Sequence, residues 1–405
     1  MSPSAGNPFE STQPARKYFV GRADELAKLR VYLSTVAQGG ATNLFIFGTA
    51  GGGEGKTSFL YQTVEEASQQ GLVANVVTVV ERITTDKLIY ELVEKTLVAV
   101  AKRHNRSEYL KDFRGKGKTS SFRIPAALAA GEPVTATDIE EDLLFLSHIC
   151  DQLSAKGVVF CIDEGQLLEH LDGGELFAKL RAAIQSVGKG FMIVLAALHD
   201  IIPVIAEGYK GVDRFFPNTI ELGPFEEDNV AIAAIERRLQ GKPIAFSREI
   251  SETVVKLAER HPKDIIAICH DIYDAATTSG AKEASVAMIS TVVYQRYTDE
   301  VKLVLESMQG LNPSHYSTLR KALRHDGWFT AKEIAELYSR GQEEEEFISE
   351  MEPRVREELR FLVDKKLCRL DQRENSESFR LASSRFAFIL QNELGQVTHR
   401  QEEAP

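Results

Sequence analysis

The feature that most constrains this chain is Gly48-Thr-Ala-Gly-Gly-Gly-Glu-Gly-Lys-Thr57, a glycine run set between two regular patterns. Before it, Asn43-Leu-Phe-Ile-Phe47 is a short apolar run of strand character. After it, Leu60, Val64 and Ala67 recur at near-helical spacing until Gly71 stops the pattern. Strand, glycine loop and helix in that order make an anion cradle. Glycines let backbone N–H groups converge without side chains in the way, and the following helix aims the positive end of its dipole at the same spot. Gly51, Gly52, Gly53, Glu54, Gly55 and Ser58 then belong to a phosphate site. In it Lys56 reaches the β- and γ-phosphates and the Thr57 hydroxyl ligates magnesium, so ATP and Mg2+ are the expected cofactors. One departure stands out: Ala50 occupies the place five residues before Gly55 where strict spacing has glycine, unless two extra glycines lengthen the loop. Lys116-Gly-Lys-Thr119 has the same ending but follows no strand pattern, and is set aside as a decoy.

The rest of the first half alternates strands with helices. Ala74 to Val80, Gly157 to Ile162 and Phe191 to Leu198 read as strands. Helical spacing runs through Lys87 to Val100, through Ile139, Leu143, Leu146, Cys150 and Leu153, and through Leu176, Leu180 and Ile184. That alternation predicts an α/β fold with a parallel sheet covered on both faces. Val158-Val-Phe-Cys-Ile-Asp-Glu164 delivers two carboxylates at the carboxyl end of a strand, where open α/β sheets bind ligands. Asp163 suits the magnesium hydration shell and Glu164 suits activation of the attacking water. A merely solvated acidic strand end is the alternative.

From Glu226 only helical patterns follow: Asp228 to Leu239, Ser247 to Arg260, Lys263 to Thr277 and Glu283 to Tyr297. After Asp299, Leu303 to Leu311, Ser317 to His325 and Thr330 to Tyr338 predict short helices, with a capping box at Thr330–Glu333. Pro353 to Lys366 predicts a longer one. Cys368 to Leu370 and Ser378 to Leu381 flank a polar stretch as a hairpin would, and helices followed by a hairpin describe a winged helix. The expected organisation is a flexible arm (1–14), an α/β core (15–225), an all-α lid (226–298), a winged-helix domain (299–395) and a flexible tail (396–405).

Phe19-Val-Gly-Arg22 with Glu25-Leu26, the glycine loop, Ile162-Asp-Glu164, Arg214-Phe215 and Ile220-Glu-Leu-Gly-Pro-Phe225 occur in an order that resembles the AAA+ ATPases. The likeness covers roughly residues 8 to 390 and points to the origin-recognition and archaeal-ATPase branch, whose members carry a helical lid and a winged helix. The resemblance implies a RecA-like P-loop core, with the two nucleotide motifs as Walker A and Walker B. It sets Val20, Gly21 and Arg22 against the adenine, His199 as a polar sensor of the γ-phosphate, and Arg214 as an arginine finger acting in a neighbouring subunit. A surface histidine at a strand end and an exposed loop arginine are the respective alternatives. In Arg260-His-Pro-Lys263, Lys263 stands where the lid's second sensor has arginine, and lysine cannot grip phosphate as a fork.

Composition excludes some partners and leaves others. At −11 net charge the chain as a whole does not coat nucleic acid or anionic membrane. Lys102 to Arg123, however, holds eight Lys or Arg against Glu108 and Asp112, a local net of +6. Lys111, Arg114, Lys116 and Lys118 could follow a phosphate backbone, with Tyr109, Phe113 and Phe122 available to stack. A solvated insertion is the alternative; in AAA+ rings that bind DNA, insertions after the second strand often face the channel. Arg354, Arg356 and Arg360 start the expected recognition helix, though residues 301 to 400 balance at 16 basic and 17 acidic side chains, and many winged helices bind protein. Four dispersed cysteines make neither a disulfide framework nor a zinc site, and the longest uncharged apolar run, Phe191 to Leu198, is too short to span a bilayer. A cytoplasmic, oligomeric ATP hydrolase is expected, with ATP at subunit junctions, switching an assembly on DNA in a replication-initiator-like or transposition-regulator-like way. The competing reading is a STAND-type signalling or defence ATPase acting through separate protein partners without DNA.

Overall fold

The computed structural model describes residues 6–10, 18–49, 52–115, 120–170, 173–187, 190–208, 211–325, 327–339, 345–373 and 376–402. Gly51, Lys116 and Lys118 lie outside them. The chain forms two compact units, Glu10–Arg237 with His261–Lys263, and Met1–Phe9 with Arg238–Arg260 and Asp264–Pro405.

In the first unit α1 (Ala23–Ala37) precedes β1 (Leu44–Gly48), α2 (Lys56–Gln69), β2 (Val73–Thr78) and α3 (Thr85–His104). Then come α4 (Ser107–Arg114), α5 (Arg123–Ala130), α6 (Ala136–Gln152), β3 (Val158–Asp163), α7 (Gly173–Val187) and β4 (Phe191–Ala197). Finally α8 (Ile201–Gly208) and α9 (Val212–Phe215) lead to β5 (Asn218–Leu222) and α10 (Asp228–Leu239). The five strands form one parallel sheet in the order β2-β3-β4-β1-β5. β3 and β4 are buried along their whole length, which is why they read as unbroken apolar runs rather than alternations. Alternate residues feed two cores: Phe45, Val77, Phe160 and Phe191 face one way with Leu88, Phe177 and Phe216, whereas Ile46, Val159 and Val194 face the other with Leu29, Leu33 and Phe59. Because every strand runs the same way, Gly48, Asp163 and Ala197 come to one edge of the sheet.

The basic segment differs from its sequence reading. Phe113 and Phe122 are fully buried and meet edge to face at 5.0 Å, with Phe145 4.9 Å beyond Phe122, so neither can stack on a base. Their apolar rings fold α4 and α5 onto α3 and α6, through Tyr90 and Phe145, which the surrounding lysines and arginines conceal in the sequence. Tyr109 is half-buried and donates to Gln152 Oε1 at 2.7 Å. Buried Asp142 accepts from the backbone N–H of Arg123 and, at 2.9 Å, of Ile124, closing the start of α5.

The second unit holds α11 (Arg248–Leu257), α12 (Pro262–Ser279, from Asp264 on), α13 (Val286–Arg296), α14 (Thr298–Met308), α15 (Pro313–Ala322), α16 (Ala331–Glu336) and α17 (Glu345–Asp364). The antiparallel pair β6 (Cys368–Arg373) and β7 (Ser376–Leu381) and the helix α18 (Ser384–Glu402) complete it. Phe329 pairs with Phe379 of β7 through reciprocal 2.7 Å hydrogen bonds. The capping box expected at Thr330 is present.

Both expected flexible ends are ordered where described. Asn7 Nδ2 donates to His270 O at 2.9 Å and Asp274 Oδ1 at 2.8 Å, Arg238 donates to Pro8 O at 2.9 Å, and Phe9 is fully buried, stacked on Phe246 at 5.9 Å. At the other end α18 continues the helix to Glu402 in place of a tail from 396. Arg385 ties its start to Asp264 at 3.2 Å and Glu300 at 3.3 Å.

Candidate nucleotide site

The loop after β1 is shaped by glycines with backbone that other residues resist. Gly53 has φ 96° and Gly55, the N-cap of α2, has φ 94°. A Cβ built on Gly52 or Gly55 would meet nothing within 4 Å, so the mouth of the loop is clear. A Cβ on Gly53 would lie 2.5 Å from Cβ and Cδ of Lys263, so the stem of that lysine crosses the loop there. Lys56, at the first turn of α2, places Nζ 3.6 Å from Glu54 Oε2. Ser58, on the same turn, is half-buried.

Two strands away, β3 ends in Asp163, which is buried and hydrogen-bonded by the Thr57 side chain. Burial pushes the Asp163 carboxyl above its usual value; the Thr57 bond and the Glu164 N–H at 3.0 Å oppose the shift, as does the charge of Lys56. Glu164 sits in left-handed backbone at φ 56° and its exposed carboxylate accepts from Gln166 Nε2. Such backbone persists only where the surroundings impose it. The next residue, Gly165, packs closely on β4, where a Cβ would come 2.5 Å from Leu195 Cδ1 and 2.9 Å from Ala197 Cβ. β4 runs between β1 and β3, and His199, just past its end, is exposed with its ring edge-on to Phe47 at 4.8 Å.

Beneath the loop lies a clamp that sequence reading missed. Arg22 is 7% exposed and has φ 62°. Its Nη2 donates to Glu54 O at 3.1 Å and to Gly223 O, and its Nη1 donates to Glu25 Oε1 at 3.3 Å and Pro224 O at 3.4 Å. Val20 is buried beside it, and a Cβ on Gly21 (φ 68°) would come 2.5 Å from Val230 Cγ1. One guanidinium thus fastens α1, the glycine loop and the exit of β5 together. No local pattern signals this, because Gly223 is 201 residues away in sequence.

No protein-family model matches the chain, and no curated protein matches it in sequence. Solved structures do match, over nearly its whole length. The Aeropyrum pernix ORC2 protein, solved as ADPNP–ADP complexes, superposes with a TM-score of 0.51 at 13% identity, covering 97% of this chain and 98% of that one. Cdc6p from Pyrobaculum aerophilum gives 0.50 at 14% identity, covering 96% and 98%. The fold is the one these two proteins share. In this fold the glycine loop, Lys56, Thr57, Asp163 and Lys263 are brought together, with Glu164 and His199 at the same sheet edge.

The remaining candidate residues are placed less tellingly. Arg214 is exposed on α9. Lys111 is exposed, whereas Arg114 pairs with Glu94 at 2.8 Å. On α17, Arg354 faces Glu358 at 3.6 Å, and Arg356 pairs with Glu352. Arg356 also reaches Glu377 of β7 at 3.8 Å, and Arg360 donates to it through Nε at 3.2 Å. The hydrogen bond from Arg360 holds the Glu377 carboxyl below its usual value. Among the described residues no His/Cys/Asp/Glu group forms a separate metal site, and no helix is long and apolar enough to cross a membrane. All four cysteines are free and buried.

Proposed function

We propose that this protein is a magnesium-dependent AAA+ ATPase that binds and hydrolyses ATP to switch an oligomeric assembly on DNA. The observation that carries the reading is the hydrogen bond between Thr57 and buried Asp163 beside a clear glycine cradle entered by Lys56. A hydroxyl and a carboxylate held together at a helix N-terminus are the donor set a magnesium ion with phosphate oxygens takes. Thr57 and Asp163 would hold the metal, which supplies charge neutralisation on the phosphates. The N–H groups of Gly51 to Thr57 and the Lys56 ammonium bind phosphate, and Glu164 orients water and accepts its proton at the carboxylate. His199 senses the terminal phosphate from the sheet edge. Lys263, at the second-sensor place, meets phosphate as a point charge rather than a fork. Arg214 completes the site of a neighbouring copy, with ATP at the subunit junction.

In this reading residues 15–225 are the ATPase core, 226–298 the lid and 299–395 a winged helix, in which α17 precedes the β6–β7 wing. Lys111, Arg114, Lys116, Lys118, Arg354, Arg356 and Arg360 are the DNA-facing candidates. One observation favours the second reading, a STAND-type switch working through protein partners: Arg356 and Arg360 are already paired with Glu377. Steady-state ATP hydrolysis with and without double-stranded DNA, at two salt concentrations, separates the two. Stimulation that fades with salt supports the DNA switch, and a rate indifferent to DNA supports the protein-partner switch. Absence of any magnesium-dependent hydrolysis refutes the enzyme reading altogether.

A further inference from the structure

Glu54 is the one acid within the glycine loop. Its side chain is 1% exposed, and its Oε2 lies where a Cβ on Gly48 would come within 2.5 Å, so the glycine at the end of β1 makes room for the carboxylate. Its carbonyl is fixed by Arg22. The same Oε2 is 3.6 Å from Lys56 Nζ. A carboxylate is tolerated at such burial when an opposite charge faces it, and here that charge is the lysine on which the cradle depends.

We propose, on the reading of this loop as a nucleotide site, that Glu54 is a built-in counter-ion for Lys56. The phosphates of a nucleotide compete with its carboxylate for the ammonium group, and Glu54 thereby sets the affinity and the release rate of nucleoside di- and triphosphates. At 3.6 Å the contact is looser than a hydrogen bond, so phosphate oxygens at bonding distance displace it. The carboxylate also repels incoming phosphate, and this second effect has the same sign as the first. Glu54 is a positioning residue acting through Lys56. Its influence is confined to the β- and γ-phosphates, which that lysine reaches.

The test is Glu54→Gln, which keeps the shape and removes the charge, titrated by calorimetry with ADP, ATP and AMP in the presence of magnesium. ADP and ATP are expected to bind on the order of ten-fold tighter, ADP to dissociate more slowly by a similar factor, and AMP to bind as it does to the wild type. A merely structural role would move all three alike. Unchanged or weaker ADP binding by folded Glu54→Gln overturns the proposal, as does an equal change for AMP. Glu54→Asp, which withdraws the charge by one methylene, is expected to fall between the two; if the glutamine variant does not fold, unchanged or weaker ADP binding by Glu54→Asp overturns the proposal in its place. A wild type that binds no nucleotide refutes the functional reading and this proposal with it; a wild type that binds ADP no less tightly than Glu54→Gln refutes the proposal alone.

Discussion

Replacing Arg22 by alanine distinguishes a structural clamp from an adenine contact. The substitution leaves Glu54 O, Gly223 O and the carboxylate of buried Glu25 without the guanidinium that satisfies them. Removing one partner from a buried charged arrangement costs about 3–5 kcal/mol, because the other groups stay buried and unmatched. The Pro224 contact at 3.4 Å adds little to that. In a unit of this size each kcal/mol lowers the melting temperature by about 2–4 °C, so Arg22→Ala should melt roughly 6–20 °C below the wild type by circular dichroism. Arg22→Lys should recover only part of the loss, since one ammonium cannot serve carbonyls on several sides. A variant that melts like the wild type would refute the clamp. If it also lost nucleotide affinity, Arg22 would belong to the adenine pocket instead.

Other consequences concern pH and the β6–β7 pair. Burial pushes the Asp142 carboxyl up to about 6 from 3.8, so between about pH 4 and 6 the folded chain binds the extra proton and stability falls as pH rises. The change is about 3 kcal/mol at most, and denaturant titrations should show it in the wild type but not in Asp142→Asn; equal pH slopes would contradict it. Glu377→Gln releases Arg356 and Arg360 from their shared carboxylate. If α17 and the β6–β7 pair meet DNA, the variant should bind it more tightly, with a salt slope steeper by up to about 2; an unchanged slope argues for a protein partner.

The parts of the fold that were legible in the sequence are those whose signal is local. β3 and β4 are buried on both faces and so appear as continuous apolar runs, while the glycine loop declares itself between a strand and a helix. The parts that were not legible depend on distant partners. Phe113 and Phe122 look like stacking groups among basic residues, and only the tertiary fold buries them. Asn7 and Phe9 lie in a Ser/Pro/Gly-rich stretch with no periodicity, yet residues 237 to 267 positions along the chain hold them. Arg22 matched a family pattern by position, but its clamp on backbone carbonyls leaves no trace in the residue types of those partners. Glu54 was read from the sequence only as one member of the phosphate site; that its carboxylate faces Lys56 required the geometry.

Whether the glycine loop holds nucleotide with magnesium is tested most directly by calorimetric titration of ADP and ATP into the wild type and Lys56→Ala, with and without Mg2+. The structure predicts binding by the wild type that strengthens with Mg2+ and is lost in Lys56→Ala. Equal affinity in the two proteins, or none in either, would contradict it.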